Sequence, residues 1–495
     1  LFELSDRFVW GWDGTVLSDK TFLQDYRLGR YSDPLAFQKD NTAAISQLFL
    51  SGRGDRSFFD IRGMFFYGFS EADSQTQLPV IHPVMDYSYV FGQPVFGGEL
   101  AFNANLTSLS RREADYDPIT QDALVSKMCD APTADTAKRV NCVLRGIPGS
   151  YTRFSGEAQW RRTFTDPLGQ VVTPFMSFRA DVASLSVKGD PAVAQFIDAG
   201  EEQFARNMPT VGVDYRYPFI SAHGWGTQTI EPIAQVVVRP NESRVGRMPN
   251  EDAQSLVYDD SNLFRVDKFS GWDRMEGGGR ANVGAQYTAQ FNGAGMFNVL
   301  FGQSYHLFGK NSFAAGDTAN TGLDSGLETD RSDYVARATW QPSSVYALTT
   351  RYRFDEQSFE VRRFELEGRV NYDRWWGSLL YGNYDAQPLL GFLQRREGVL
   401  GTASVKVTQN WSVLGSARYD LDAGRIDQTV LGLGYIDDCF AIAVNYITDH
   451  TVSGNTQTDQ KLMLQISLRT LGGTAFTQKV GTTTTSNTSS LGVGY

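Results

Sequence analysis

The residues best suited to chemistry in this sequence are its three cysteines, Cys129, Cys142 and Cys439. Cys129 and Cys142 lie in one polar stretch, and two thiols in one loop of an oxidising compartment usually form a disulfide. Two unpaired thiols are the alternative. Cys439 stands alone in residues 436–440, IDDCF. An odd cysteine in an oxidising compartment suggests a partner outside the chain, and a buried or simply unpaired thiol is the alternative.

The four histidines, His82, His223, His306 and His450, give no support to catalysis or metal binding. None is at metal-ligand spacing from another histidine or a cysteine. No nucleophile-elbow motif accompanies them, and the glycine run 277–279 lacks the following Lys-Ser/Thr step of a phosphate-binding loop. The sequence therefore predicts a protein that is not an enzyme and that holds neither a metal nor a cofactor.

The composition narrows the class of protein further. The 495 residues carry a net charge of −11, so a nucleic-acid-binding function is excluded because phosphate contacts need a basic surface. With 33 Phe, 22 Tyr and 9 Trp the chain is not a disordered one. No stretch approaches the roughly 18 apolar residues of a membrane-spanning helix. The chain opens at Leu1 without a signal-peptide pattern, so we expect either a removed leader or a longer parent protein.

The elements that position these residues are predicted to be β-strands with one apolar and one polar face. Residues 364–372, FELEGRVNY, alternate strictly, and so do residues 176–182, 440–446 and 462–468. Successive strand side chains point to opposite faces, so each segment has one charged or polar side. We predict that this side lines the lumen of a barrel, at the charged residues Glu365, Glu367, Arg369, Arg179 and Asp181.

Segment length and connection length favour a membrane barrel over a soluble β-protein. About 20 segments occur, mostly longer than the 5 or 6 residues usual in soluble strands, and many end in aromatic clusters. Long and short connections alternate, as in outer-membrane barrels with short periplasmic turns and long outside loops. We predict an all-β fold, a large antiparallel transmembrane β-barrel. The long gaps fall near residues 20–40, 70–83, 111–150, 188–207, 241–274, 309–331, 388–396 and 449–459.

Several motifs resemble one family of outer-membrane proteins, LptD, which assembles lipopolysaccharide. Residues 431–442, LGLGYIDDCFAI, resemble a periplasmic turn of that family, although Asp438 stands where relatives carry a first cysteine. The mid-chain segments 258–264, YDDSNLF, and 269–274, FSGWDR, resemble an outside loop of the family. Residues 18–26, SDKTFLQDY, and 466–472, ISLRTLG, resemble an earlier loop and the last strand. The resemblance thus extends over nearly the whole chain.

The resemblance also implies a domain organisation. The family barrel has 26 strands and follows a periplasmic jellyroll-like domain. We therefore expect residues 1–473 to be an LptD-like barrel domain without its first strands and without the jellyroll domain. Residues 474–495 are expected to form a Thr/Ser-rich tail after the last strand.

The function that the resemblance implies is that of a translocon, integral to the outer membrane of a Gram-negative bacterium. It would insert lipopolysaccharide into the outer leaflet, its sugars passing through the hydrated lumen and its acyl chains through a lateral gate. The expected partners are an LptE-like lipoprotein plug and the periplasmic Lpt bridge, reached through the N-terminal domain, to which Cys439 would be disulfide-bonded. A general porin or a ligand-gated outer-membrane transporter is the alternative. The last strand, one side of the gate, includes Leu462, Leu464, Gln465, Ile466, Leu468 and Arg469.

Overall fold

The computed structural model describes residues 2–15, 43–68, 73–129, 139, 141–200, 202–314, 322–450 and 459–468. The predicted segment 18–26, Arg469 and the predicted tail 474–495 lie outside these residues. Regular structure in the described part is almost entirely β, with one short α-helix, α1 (Gln121–Val125). Two 3-10 helices, Pro191–Gln195 and Pro388–Leu390, accompany it. None of the helices within the described ranges is long and apolar enough to cross a membrane.

Twenty-five strands are present in the described residues. The first fourteen are β1 (Phe2–Ser5), β2 (Phe8–Asp13), β3 (Ala43–Arg53), β4 (Ser57–Gly68), β5 (Val80–Val90), β6 (Glu99–Arg111), β7 (Asp115–Pro118), β8 (Cys142–Gly146), β9 (Gly149–Arg161), β10 (Phe164–Thr165), β11 (Val171–Val187), β12 (Gln203–Arg216), β13 (Phe219–His223) and β14 (Gly226–Val238). The others are β15 (Gly279–Phe291), β16 (Gly295–Phe308), β17 (Tyr334–Gln341), β18 (Tyr346–Phe354), β19 (Val361–Tyr372), β20 (Trp375–Tyr384), β21 (Arg396–Lys406), β22 (Trp411–Asp420), β23 (Arg425–Ile436), β24 (Phe440–Asp449) and β25 (Asp459–Leu468).

Twenty-three of these strands form one antiparallel sheet in which neighbours in sequence are neighbours in space. β10 and β13 are short continuations of β9 and β12, because each pair of segments bonds to the same next strand, β11 or β14. The interruption before β13 contains Pro218, which has no N–H to give to a ladder. β7 and β8 pair only with each other, in a separate two-stranded sheet.

The connections alternate between short and long, as the sequence predicts. Residues 292–294 join β15 to β16, whereas residues 239–278 join β14 to β15. Since hairpin-linked strands alternate in direction, the long loops all lie at one end of the sheet, together with the short connections 355–360 and 421–424, and the remaining short turns lie at the other end. We call these the long-loop end and the short-turn end. Some boundaries differ from the predicted loop limits by several residues. β12 begins at Gln203, inside the predicted loop 188–207, and β15 begins at Gly279, after the predicted limit of 274.

The two faces of the sheet differ in polarity. On β11, Met176, Phe178 and Val182 are more than half exposed, whereas Arg179 and Asp181, which alternate with them, are buried. A sheet face with exposed apolar side chains is suited to contact with lipid and not with water. We call this the outward face and the opposite one the inner face. The predicted fold class, a large antiparallel β-barrel of the outer-membrane type, is confirmed.

The long loops fold back over the inner face and have hydrophobic cores of their own. Loop 112–148, which contains β7, α1 and β8, packs with Phe196, Ile197 and Met248 in one buried cluster. Loops 239–278 and 309–333 share a second cluster that includes Tyr258, Leu263, Phe313 and Leu327. We call the described residues of these three loops the cap. A loop that buries this much apolar surface is a folded unit and not a solvated linker.

Candidate functional site

The cap is joined to the inner face by ion pairs, and the most buried of them centres on Arg153 of β9. The side chain of Arg153 is fully buried. One of its amino groups donates to the Asp273 carboxylate, and the other donates to Asp252 at 2.9 Å and to Asn105 at 2.8 Å. Both aspartates belong to loop 239–278. A buried cation is tolerated only when it is paired and hydrogen-bonded, so the strand arginine and the loop carboxylates depend on each other.

The loop is shaped to present both carboxylates to this arginine. Asp273 also accepts from the Tyr151 hydroxyl at 2.8 Å and from the backbone N–H of Glu251 at 2.6 Å. Asp252 in turn accepts from the backbone N–H groups of Trp272 and Asp273 at 3.0 and 2.8 Å. Two segments of the loop thus clasp each other through their aspartates. Gly271 has a left-handed φ of +65°, and a Cβ there would collide with the Asp252 carbonyl.

Arg179 of β11 and Arg206 of β12 also bind loop 239–278. We call the inner-face residues that bind this loop, here Arg153, Arg179 and Arg206, the seat. Arg206 and Arg179 both donate to the Asp181 carboxylate, at 2.7 and 2.9 Å. Arg206 also donates to the carbonyl oxygens of Trp272 and Asp273 at 3.0 and 2.9 Å, and Arg179 donates to the Trp272 carbonyl. The Arg179 guanidinium lies 4.9 Å from the Trp272 ring centre. The inner face therefore holds the loop backbone as well as its carboxylates.

Further charged pairs anchor the rest of loop 239–278. Glu276, which is fully buried, pairs with Arg239 at 3.5 Å and also with Arg280, the two arginines that border the loop. Nearby, the ammonium group of Lys268 donates to Asn282 at 3.1 Å. These contacts fix the end of the loop that returns into β15.

On the other side of the loop, Asp260 reaches the next strands of the sheet. Its carboxylate pairs with Arg337 of β17 at 3.1 Å and with Arg351 of β18 at 3.6 Å. Asp333, the last residue of loop 309–333, pairs with Arg353 at 3.2 Å. Arginines of the inner face thus meet carboxylates of the cap from β9 round to β18.

Burial shifts the pKa values of several cap residues. Burial and the nearby negative charge of Asp273 raise the pKa of Asp252 to about 6. Burial alone would raise the pKa of Asp273 too, but Arg153 and the hydrogen bonds that this carboxylate accepts hold it below the ordinary value. Burial lowers the pKa of Lys268 to about 7. The pKa of Glu276 falls to about 2, because Arg280, Arg239 and Lys268 outweigh its burial.

A cavity of about 1160 Å³ lies beneath this seat. Its lining includes the loop residues Phe264, Trp272 and Glu276 and, near the short-turn end, Gln93 and Arg162. The cap therefore lies over one end of this cavity, and the cavity reaches toward the short-turn end. In the part of the chain that the structure describes, no group of three or more His, Cys, Asp or Glu residues is placed to hold a metal ion.

The structure confirms one of the predicted cysteine pairs. Cys129 and Cys142 are disulfide-bonded, and both are buried in the core of the cap. Cys439 is exposed in the turn between β23 and β24, at the short-turn end, and is a free thiol.

The charged residues predicted to line the lumen lie on the inner face, in two groups. Arg179 and Asp181 belong to the seat of the cap. Glu365 is buried and accepts from the Tyr384 hydroxyl at 2.8 Å, and Glu367 pairs with Arg369 at 2.9 Å. That these side chains line a hydrated lumen stays a prediction.

The residues predicted for one side of the gate lie in β25, apart from Arg469, which is outside the described residues. Leu462 and Leu464 are 75% and 63% exposed. Gln465, Ile466 and Leu468 pair through their backbones with β24. In the described part of the chain, no strand pairs with the other edge of β25.

No pattern in the sequence indicated that Arg153 meets Asp252 and Asp273. Nor did any pattern indicate that Glu276 meets Arg239 and Arg280. The available signal was the composition of residues 239–278, where Leu256, Leu263 and Phe269 are too apolar for a solvated loop. Two of the segments that resemble the family, 258–264 and 269–274, belong to this loop. The resemblance points to these two segments but not to their contact with the strands.

Comparison with known proteins identifies the family. A family model described as LptD, LPS transport system D, matches residues 2–389. The LPS-assembly protein LptD of Pectobacterium atrosepticum is 27% identical over 57% of this chain and 38% of its own length. That of Escherichia coli O1:K1 is 26% identical over 50% of this chain and 33% of its own. The chain thus spans well under half the length of the curated relatives it matches.

Among solved structures, the siderophore receptor PirA from Acinetobacter baumannii aligns with 86% of this chain and 71% of its own, at 8% identity and a TM-score of 0.40. At that score the likeness carries no argument about fold or function. The match to the LptD family model does identify the family, because it covers residues 2–389, well over half of the chain. The chain belongs to the LptD family.

Proposed function

We propose that this chain is the barrel part of an outer-membrane protein that assembles lipopolysaccharide. The observation that carries the proposal is the family match over residues 2–389. The outward face, with its exposed apolar side chains, would lie in the lipid of the outer membrane. The long-loop end would face the outside and the short-turn end the periplasm. The family match favours this function over a general porin or a ligand-gated transporter.

The two faces suit the two chemical halves of the substrate. A charged, hydroxylated glycan needs water or polar partners, whereas acyl chains need lipid. Glu365, Glu367 and Arg369 would line the hydrated path, together with the arginine-rich seat. The cap would keep the outer end of that path closed until substrate passes.

The lateral gate is proposed to use the free edge of β25. One side of this strand is bonded to β24, and the exposed Leu462 and Leu464 face the region where acyl chains would enter the outer leaflet. Among the described residues this edge has no strand partner, and an open strand edge presents backbone N–H and C=O groups that another strand can bind. An LptE-like lipoprotein and the periplasmic Lpt bridge would be the partners. The cavity below the cap would admit a short segment of a partner chain.

Cys439 is proposed to be disulfide-bonded to a cysteine of an N-terminal periplasmic domain in the parent protein. The thiol is exposed, and it lies at the short-turn end on a tight turn. Cys439→Ser in the full-length protein should change migration on a non-reducing gel and lower surface lipopolysaccharide. Asp438→Ser, at the exposed neighbouring position of the same turn, is the matched control. Unchanged migration with normal surface lipopolysaccharide would exclude the bond.

A photo-crosslinking experiment tests the path. A photoreactive amino acid at position 464, beside the free edge, should capture lipopolysaccharide in growing cells. The same group at position 379, on the outward face of β20 and far from that edge in strand order, should not. Equal capture at both positions, or none at 464, would contradict an exit along β25.

A further inference from the structure

A second cavity opens on the inner face at the long-loop end, away from the seat of loop 239–278. Its volume is about 970 Å³. One wall is formed by β7 and α1 of the disulfide-bonded loop, and the other by the ends of β20 to β23 with the loop 385–395. Arg145 ties the two walls together, because it donates to Asp117 at 2.7 Å and to the Leu389 carbonyl at 3.4 Å. We call this cavity the rim cavity.

The lining of the rim cavity offers three kinds of contact. The lining has five carboxylates that supply hydrogen-bond acceptors and three guanidinium groups that supply donors, namely Asp117, Glu397, Asp420, Asp422 and Asp427, and Arg395, Arg396 and Arg418. An aromatic surface is provided by Phe392, over whose ring the Arg396 guanidinium lies at 3.4 Å. A volume of this size is at the upper end for a small-molecule site, about 300 to 1000 Å³.

The buried carboxylate of Asp427 is incompletely satisfied. The residue is only 5% exposed and lines the cavity. Its Oδ1 accepts no hydrogen bond from the described residues, and its ion pairs are long, 3.4 Å to Arg425 and 3.6 Å to Arg418. Buried polar atoms are nearly always hydrogen-bonded, so an unmet acceptor beside a cavity points to a donor supplied from outside the chain.

We infer that the rim cavity binds a saccharide. Hydroxyl groups both donate and accept, which matches a lining that has carboxylates and guanidinium groups together, and an aromatic ring packs against the C–H face of a sugar. The five carboxylates of the lining would repel a simple anion, and its three arginines would oppose a simple cation, so neither suits the cavity as well. The inference rests on the proposed function, under which the glycan of lipopolysaccharide leaves the interior at this end.

The test uses the full-length protein in detergent and, as the probe, lipid-free core oligosaccharide released from lipopolysaccharide by mild acid. Arg418→Gln removes a half-exposed donor that lines the cavity. Arg425→Gln is the matched control, because Arg425 approaches Asp427 as closely but is not part of the lining. Loss of a charged hydrogen bond should weaken oligosaccharide binding at least about tenfold for Arg418→Gln, and Arg425→Gln should bind like the parent protein.

Asp422→Asn, in the exposed turn between β22 and β23, gives a second variant if Arg418→Gln does not fold. Failure of the parent protein to bind the oligosaccharide, or equal binding by the Arg418 and Arg425 variants, would overturn the rim-cavity site. If surface lipopolysaccharide still depends on the protein in that case, the proposed function is supported although the rim-cavity site is not. Arg418-dependent binding in a protein whose depletion leaves surface lipopolysaccharide normal would support the site and overturn the proposed function.

Discussion

Replacing Asp273 by asparagine tests the seat of the cap most sharply. The Asp273 carboxylate has no solvent exposure, and it neutralises Arg153, which has none either. Asparagine keeps the size of the side chain and one acceptor oxygen but removes the charge. Arg153 then retains only Asp252 as a charged partner, at 2.9 Å. Removing one partner of a buried ion pair costs roughly 3 to 5 kcal/mol of stability. Because Asp252 still pairs with Arg153, we expect a loss of stability near the lower limit, about 3 kcal/mol.

That loss should appear as local opening of loop 239–278. At 1.4 kcal/mol per factor of ten, about 3 kcal/mol corresponds to hydrogen exchange roughly 100-fold faster for amides that open with the loop. Asp259→Asn is the matched control, because Asp259 lies in the same loop. Among the described residues, its carboxylate accepts hydrogen bonds only from the N–H and the hydroxyl of Ser261, two positions along the chain. Exchange should stay unchanged in the control. If Asp273→Asn left the exchange of residues 249–276 unchanged as well, the ion pair would not hold the loop, and the reasoning would be refuted.

Three further predictions concern the faces, the disulfide and pH. Leu379→Arg on the outward face should destabilise the barrel by roughly 2 to 4 kcal/mol in heat-modifiable gel migration, whereas Ser378→Arg on the inner face should cost far less; equal losses would mean that the faces are assigned wrongly. Cys129→Ser opens a ring with a sequence separation of 13. It should cost about 3 kcal/mol by the chain-entropy estimate, so proteolysis within loop 112–148 should accelerate while the strands stay protected, and an unchanged cleavage rate would count against it. Because the pKa of Asp252 is raised from 3.8 to about 6, the docked loop binds a proton more readily than the undocked loop. Docking should therefore strengthen as pH falls from 7 to 5, measured as hydrogen exchange corrected for intrinsic rates. Asp260 of the same loop also has its pKa raised to about 6, so Asp252→Asn should reduce the slope without abolishing it, and an undiminished slope in that variant would disprove this origin.

The sheet could be predicted from the sequence because its signals are local. Alternation along β11 and β19 shows the two faces within a few residues, and the lengths of the connections show their order along the chain. About 20 strands were expected, and the large sheet has 23, of which β10 and β13 continue their predecessors. A strand interrupted by Pro218 has the same overall alternation as one that is not interrupted, so it counts as one segment.

The cap could not be predicted in the same way, because its contacts join residues that are far apart in the sequence. Arg153 and Asp252 are 99 residues apart, and Arg111 and Glu251, which pair at 2.8 Å, are 140 apart. Nothing in the local pattern of either partner names the other. The disulfide could be predicted, because Cys129 and Cys142 are separated by only 13 positions in one loop. Interior ion pairs of this kind emerge only when the strands have been placed in order.

The measurement that tests the central claim most directly is the surface display of newly made lipopolysaccharide during depletion of the full-length protein that contains this chain. The cells would express the protein conditionally, and the glycan at the cell surface would be labelled at intervals after expression stops. The account predicts that new lipopolysaccharide ceases to reach the surface and accumulates inside while other outer-membrane barrels are still inserted. Continued display of new lipopolysaccharide at the normal rate, with the protein exhausted, would contradict it.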